Sequence, residues 1–250
     1  MPDRYKAVFF DVGETLVYAH PSAAEIMAEV CRQMGVAVDA AQLEAAEAQI
    51  APRVVEQQAG GQLYSISAED SARFWTWFYD QILQALVGPA GGRVAIPVAT
   101  RRALARRFHE RFMALETWRL FPDAVPALEA IHRRREARGL AVGVVSNWED
   151  WLEALLVRLE VARYFDFLII SAGVQSEKPQ PAIFHAALDR AGVRPAEALH
   201  VGDSLHADVG GARGVGITPV LLDRRGRYSP DRADGAIVIR SLADLPPLLD

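Results

Sequence analysis

A chain of 250 residues, 51% of them hydrophobic, can bury one large core or a core with a smaller inserted domain. Its formal net charge of -5 argues against a broad electrostatic grip on nucleic acid, so an anionic ligand would need focused positive charge. The single cysteine, Cys31, excludes an intrachain disulfide, and no segment approaches the ~20 apolar residues of a membrane span.

In chain order, MPDRYKAVFFDVG has only four apolar residues before Asp11, too few for the hydrophobic stretch of a secretion signal, and a soluble, cytoplasmic protein is expected. KAVFF (6–10) reads as the first buried strand. From Tyr18 to Thr117 the strand rhythm stops. The stretches AAQLEAAEAQIAPRVVEQQ and SARFWTWFYDQILQAL are helical, and the loop GPAGGRVAIP interrupts them. Cys31, within EIMAEVCRQMG, is expected to pack as a small hydrophobe. Trp75 and Trp77 stand two apart and so point to different helix faces; at least one should pack inside this helical region, the alternative being an aromatic wall over a ligand. His20 and His109 receive no role.

Beyond Thr117, helices and strands alternate. DAVPALEAIHRRREARG starts at a capping Asp123 and stops at Gly139, and LAVGVVS (140–146) is a strand. WEDWLEALL follows as a helix, which Ser146 or Asn147 could cap. The strand FDFLIIS (165–171), the helix PAIFHAALDRAG and the strands ALHVG (198–202), ITPVLL (217–222) and GAIVI (235–239) complete the chain. The alternation predicts an α/β fold: a doubly wound, Rossmann-like parallel-sheet core from residues 1–17 and 118–250, with an all-helical cap at 18–117. The basic clusters Arg101–Arg107 and Arg133–Arg135 read as solvated helix faces, while DRRGR (223–227) follows a strand and is an anion candidate on the rim.

Ligands of such sheets bind beyond the carboxyl ends of the strands. Asp11, Ser146 with Asn147, Lys178, and Asp203 with Asp208 all fall there. Singly, each has a structural explanation as a turn or cap residue. Together, converging carboxylates need a cation between them, for which hard oxygen ligands favour Mg²⁺, and a lysine with a hydroxyl completes an anion site. Phosphoryl transfer to Asp11 fits that set, with Ser146 and Asn147 donating hydrogen bonds and Lys178 spreading charge.

The motifs DVGETLV, VVSNW, KPQPAIF and VGDSLHADVGGARGVG resemble, in order and spacing, those of the haloacid dehalogenase-like (HAD) hydrolase superfamily. The resemblance runs from Lys6 to about Leu222. It implies that Asp11 is a covalent nucleophile and that Asp203, with Asp11 and the backbone carbonyl of Gly13, holds Mg²⁺. It further implies that Ser146 and Lys178 bind the transferred group, and that Asp208 supports the metal's waters or the lysine. The substrate would be a small phosphorylated molecule, with no nucleic acid or membrane partner; the oligomeric state is not legible.

The departure is at Gly13, where family phosphatases usually carry an aspartate that protonates the leaving group. The dehalogenases of the family also lack it. Glu14 reads as an ordinary variant. Three readings follow: a Mg²⁺-dependent phosphatase, weak or specialised; a 2-haloacid dehalogenase; and a binding or regulatory protein that has lost turnover. Asp203 and Trp148 depart from the dehalogenase pattern. On the first reading, Gly13→Asp is expected to speed hydrolysis of alkyl phosphates over aryl phosphates.

Overall fold

The computed structural model describes residues 5–59, 63–87 and 92–249. The first four residues of the segment read for a secretion signal, and residues 88–91 of the loop expected to interrupt the helices, lie outside the described residues. The chain divides into two units, Met1–Tyr18 with Leu120–Asp250, and Ala19–Arg119.

In the first unit, β1 (Ala7–Phe10) has all four residues wholly buried, as a strand covered on both faces must. It lies inside a six-stranded parallel sheet with β4 (Ala141–Ser146), β5 (Phe167–Ile170), β6 (Ala198–Gly202), β7 (Thr218–Leu222) and β8 (Ile237–Ile239), in the order β5-β4-β1-β6-β7-β8. Each strand lies within a predicted apolar run. The strands β2 (Val17–Ala19) and β3 (Trp118–Leu120) form a separate pair where the chain passes between the units. Register places Phe10 between Val144 of β4 and Val201 of β6. The sheet face bearing Ala7 and Phe9 packs against Ile183, Phe184, Ala187 and Leu188 of the helix Pro181–Ala191.

Two helix starts differ from expectation. Asp123 precedes the helix Ala124–Arg138, but its carboxylate does not cap it; it accepts instead from Arg224, the Ser241 hydroxyl and the Leu242 amide. The Arg224 guanidinium, with two further donors outside the helix, outcompetes the helix amides. The predicted WEDWLEALL helix begins only at Leu152, and neither Ser146 nor Asn147 caps it. The stops at Gly139 and Gly192 hold, each with the left-handed φ that glycine adopts without strain (70° and 66°).

The second unit is built on four helices: α1 (Ala23–Gln33), α2 (Ala40–Ala59), α3 (Ala68–Ala85) and α4 (Val98–Met113). Ser22 opens α1 with a reciprocal capping box to Glu25. Met27, Cys31, Leu43, Tyr79, Ile82, Leu104 and Phe108 share one buried cluster, and both Trp75 and Trp77 pack against it. Cys31 is fully buried, and burial pushes its thiol up to about 12, which removes it from nucleophilic chemistry. In the basic clusters Arg102, Arg106, Arg107 and Arg133 are exposed, as expected of solvated faces, while Arg101 pairs with Asp80 at 2.8 Å within this unit and Arg135 pairs with Asp166 in the first.

Candidate active site

From β1 the chain crosses to β4 and β5 on one side, then returns to β6, β7 and β8 on the other. The carboxyl end of β1 is therefore where the strand order reverses, and there a crevice opens. Asp11 stands at that end, its amide extending the sheet ladder by donating to Val201 O at 2.9 Å. Ser146 is the last residue of β4, and Asp203 directly follows β6. Ser204 then starts a wide π-helical turn, Leu205–Gly210, by accepting from the Ala207 amide, and this turn carries Asp208 back over the end of β6. Gly202 has to lack a side chain, since a Cβ there would overlap the Asp208 carboxylate. Lys178 comes from the loop beyond β5. Asn147 fixes its backbone, accepting from the Lys178 amide at 2.7 Å and donating to the Lys178 carbonyl at 2.9 Å.

These placements bring Asp11, Ser146, Lys178, Asp203 and Asp208 together. Lys178 Nζ lies 2.6 Å from both Asp11 Oδ1 and Asp208 Oδ1, and the Ser146 hydroxyl donates to Asp11 Oδ1 at 2.9 Å. Asp11 Oδ2 accepts from the Thr15 hydroxyl at 3.3 Å. Asp208 also accepts from His200 Nε2 at 2.9 Å and from the Ser204 amide at 3.0 Å. Charge and burial compete at every group. Burial alone would depress the Lys178 ammonium, but Asp11 and Asp208 outweigh it and hold it above the ordinary lysine range. Burial likewise favours protonation of Asp208, yet Lys178 and His200 prevail and keep it ionised. For Asp11, burial prevails over Lys178, with the charge of Asp208 adding to the rise.

Asp203 is the exception. Among the described residues no hydrogen bond or ion pair reaches its carboxylate. Burial first, and then the charges of Asp11 and Asp208, push it well above the ordinary carboxylate range. One oxygen from each of Asp11, Asp203 and Asp208 lies within 4.8 Å of the others, and a single lysine faces all three. Oxygen-only donors in charge excess, one of them without a partner, fit a hard divalent cation.

The sequence assigned no place at the site to His200 or Thr15, and noted Trp148 only as a departure from the dehalogenase pattern. His200 sits fully buried within β6, its ring edge-on to Phe184; its Nδ1 has no partner, so the ring carries its proton on Nε2, toward Asp208. A lone histidine in ALHVG reads as core, and its position two residues before GD was the only signal. Glu14 is exposed, at a left-handed φ of 54°. Desolvation raises its carboxyl against the opposing charges of Arg225, Arg224 and Arg227. Within DRRGR, Arg224 is no free anion site: it forks onto Asp123 at 2.8 and 2.9 Å, donates to the Thr15 carbonyl and covers the Phe121 ring.

Known proteins resemble this chain in sequence and fold. The sequence profile of the haloacid dehalogenase-like hydrolases matches residues 5–216. Haloacid dehalogenase-like hydrolase domain-containing protein 3 of Mus musculus is 33% identical over 96% of this chain and 92% of its own length. A phosphoserine phosphatase of Thermus thermophilus is 30% identical over 88% of this chain and 89% of its own. A HAD hydrolase of Bacillus subtilis, whose crystal structure was solved bound to magnesium, superposes with a TM-score of 0.72 at 18% identity, covering 99% of each chain; that likeness speaks to the fold. Among the described residues no helix is long and apolar enough to cross a membrane. With Asp11, Lys178 and an acidic cluster held at the strand ends, over a match that runs through most of its length, the chain belongs to the haloacid dehalogenase-like hydrolases.

Proposed function

We propose that this hydrolase is a Mg²⁺-dependent phosphatase acting on a small phosphorylated molecule through an aspartyl phosphate on Asp11. The observation that carries the reading is the partnerless Asp203 carboxylate beside Asp11 and Asp208, an excess of negative charge that displacement of halide by Asp11 alone would not require. The phosphatase name of the Thermus thermophilus relative supports it.

Lys178 and Ser146 both hold Asp11 Oδ1, which leaves Oδ2 with the freer lone pairs. Oδ2 attacks phosphorus, the bond to the leaving oxygen breaks with its electron pair on that oxygen, and water then attacks the phosphorus of the acyl phosphate to release Asp11. Lys178 and the Ser146 hydroxyl meet the charge on the transferred group. Asp208, fixed by His200 and Ser204, keeps the Lys178 ammonium aimed at Asp11. Asp203 and Asp11, with the carbonyl of Gly13, would hold Mg²⁺, which supplies charge stabilisation to the phosphoryl oxygens. The helical unit takes the role of a cap that selects the substrate, and Asn147 acts by setting the lysine's backbone.

The test is a panel of phosphate esters and 2-haloacids with and without Mg²⁺. Metal-dependent phosphate release is expected, with no halide. Halide release in the presence of chelator would replace this reading with a dehalogenase, and ligand binding without any turnover would replace it with a regulatory protein.

A further inference from the structure

Position 13 is crowded by a residue from the loop that follows another strand. The ladder bond from the Asp11 amide to Val201 carries the extended chain past β1, and positions i and i+2 of an extended segment share a side. A side chain at 13 would therefore stand alongside the Asp11 carboxylate. That space is taken: a Cβ on Gly13 would lie 3.2 Å from Cζ3 of Trp148, tighter than ordinary carbon contact. The Trp148 backbone is held and its ring is packed. The Trp148 amide donates to Ser171 Oγ, the Ser171 hydroxyl returns a bond to the Trp148 carbonyl, both at 3.0 Å, and the ring packs edge-on against Trp151 with centroids 5.1 Å apart. The other hydroxyl and ammonium groups around Asp11, those of Thr15, Ser146 and Lys178, donate to the nucleophile itself.

The geometry points to Trp148 as the residue that sets leaving-group specificity: its C–H edge occupies the place of a proton donor at position 13. The site therefore takes phosphoryl donors whose leaving group departs as a stable anion, namely aryl, enol or acyl phosphates rather than alkyl phosphates. This deepens the phosphatase reading and rests on it. In the step itself the P–O bond breaks with both electrons on the leaving oxygen, which takes its proton afterwards from water.

The test measures turnover of 4-nitrophenyl, phenyl and alkyl phosphates and of acetyl phosphate by the full chain with Mg²⁺. It compares wild type, Gly13→Asp, Trp148→Ala, the double variant and Glu14→Gln. The aryl-to-alkyl ratio within each preparation is the readout, so loss of folded protein cancels. Wild type should favour 4-nitrophenyl over alkyl phosphate by ~10²-fold or more. In place of the gain that the sequence alone led one to expect, Gly13→Asp by itself should leave that ratio unchanged for want of room beside Trp148, and the double variant should lower it at least ~10-fold, the lower part of the usual range for a positioned acid. A flat wild-type dependence on leaving-group acidity overturns the proposal, and one that steepens in Glu14→Gln assigns the proton to Glu14. A drop as large with Gly13→Asp alone as in the double variant, or no drop in the double variant, also overturns it. No phosphate release from any ester would instead fail the phosphatase reading beneath it.

Discussion

Replacing Asp203 by Asn should stabilise the metal-free protein while removing its response to Mg²⁺. Carboxylates no more than 4.8 Å apart repel by at least about 3.5 kcal/mol per pair at an effective dielectric of about 20, and Lys178 cancels roughly one of the two charges that face Asp203. Relaxation and partial protonation reduce the remainder to on the order of 1–3 kcal/mol. The sign follows from the direction of the shift. A carboxyl whose folded-state pKa is raised destabilises the fold at pH values above the ordinary carboxylate range. The benefit of Asn is therefore present at neutral pH and disappears in acid, where Asp203 is protonated in both states. At roughly 2–4 °C per kcal/mol for a chain of this size, thermal unfolding in chelator should rise by several degrees. Wild type should then gain about 2.7 kcal/mol from Mg²⁺ at a hundredfold excess over its dissociation constant, and Asp203→Asn little. An Asn variant that melts below wild type in chelator, or that gains as much from Mg²⁺, would refute the placement of the cation at Asp203.

Asp11→Asn should abolish turnover in every substrate class, with folding checked by circular dichroism; residual phosphate release would transfer the nucleophile's role elsewhere. Gly202→Ala drives a methyl group into the Asp208 carboxylate and should cost about 1–3 kcal/mol in denaturant unfolding, with a lower kcat as Lys178 loses its anchor. Arg224→Met should weaken the fold at neutral pH by roughly 1 kcal/mol once solvent screening is allowed for. Although burial favours the protonated form, Arg224 and Ser241 hold the Asp123 carboxyl below its ordinary value, so that stability exists above the ordinary range and is lost as pH falls. Wild-type and Arg224→Met unfolding curves should accordingly converge in acid.

Much of the core was legible because its signals are local. The six sheet strands fall within short, mainly apolar runs, and in β1 burial on both faces makes such a run necessary without any knowledge of the neighbours. The left-handed stops at Gly139 and Gly192 were legible for the same reason, since they depend on one residue's own backbone. Asp11, Ser146, Lys178, Asp203 and Asp208 could be singled out because parallel sheets gather function at strand ends, a rule that holds before the strand order is known.

What each of those side chains does to the others was not in any local pattern. Asp123 looked like a helix cap, and the folded chain gave its carboxylate to Arg224 from beyond β7. Asn147 also looked like a cap until the return of the loop after β5 brought the Lys178 backbone within reach. The sequence assigned His200 no role, and its contact with Asp208 exists because the π-helical turn folds back over β6. The bare position at Gly13 could be noticed in the sequence, but the indole that crowds it comes from the loop after β4, which delivers Trp148 beside the end of β1. Apolar runs and turn residues thus determined the elements and the edge at which the chemistry gathers. Hydrogen bonds and packing contacts reach only a few ångströms, so the pairing of residues far apart in the chain was decided by the order of the strands in the sheet.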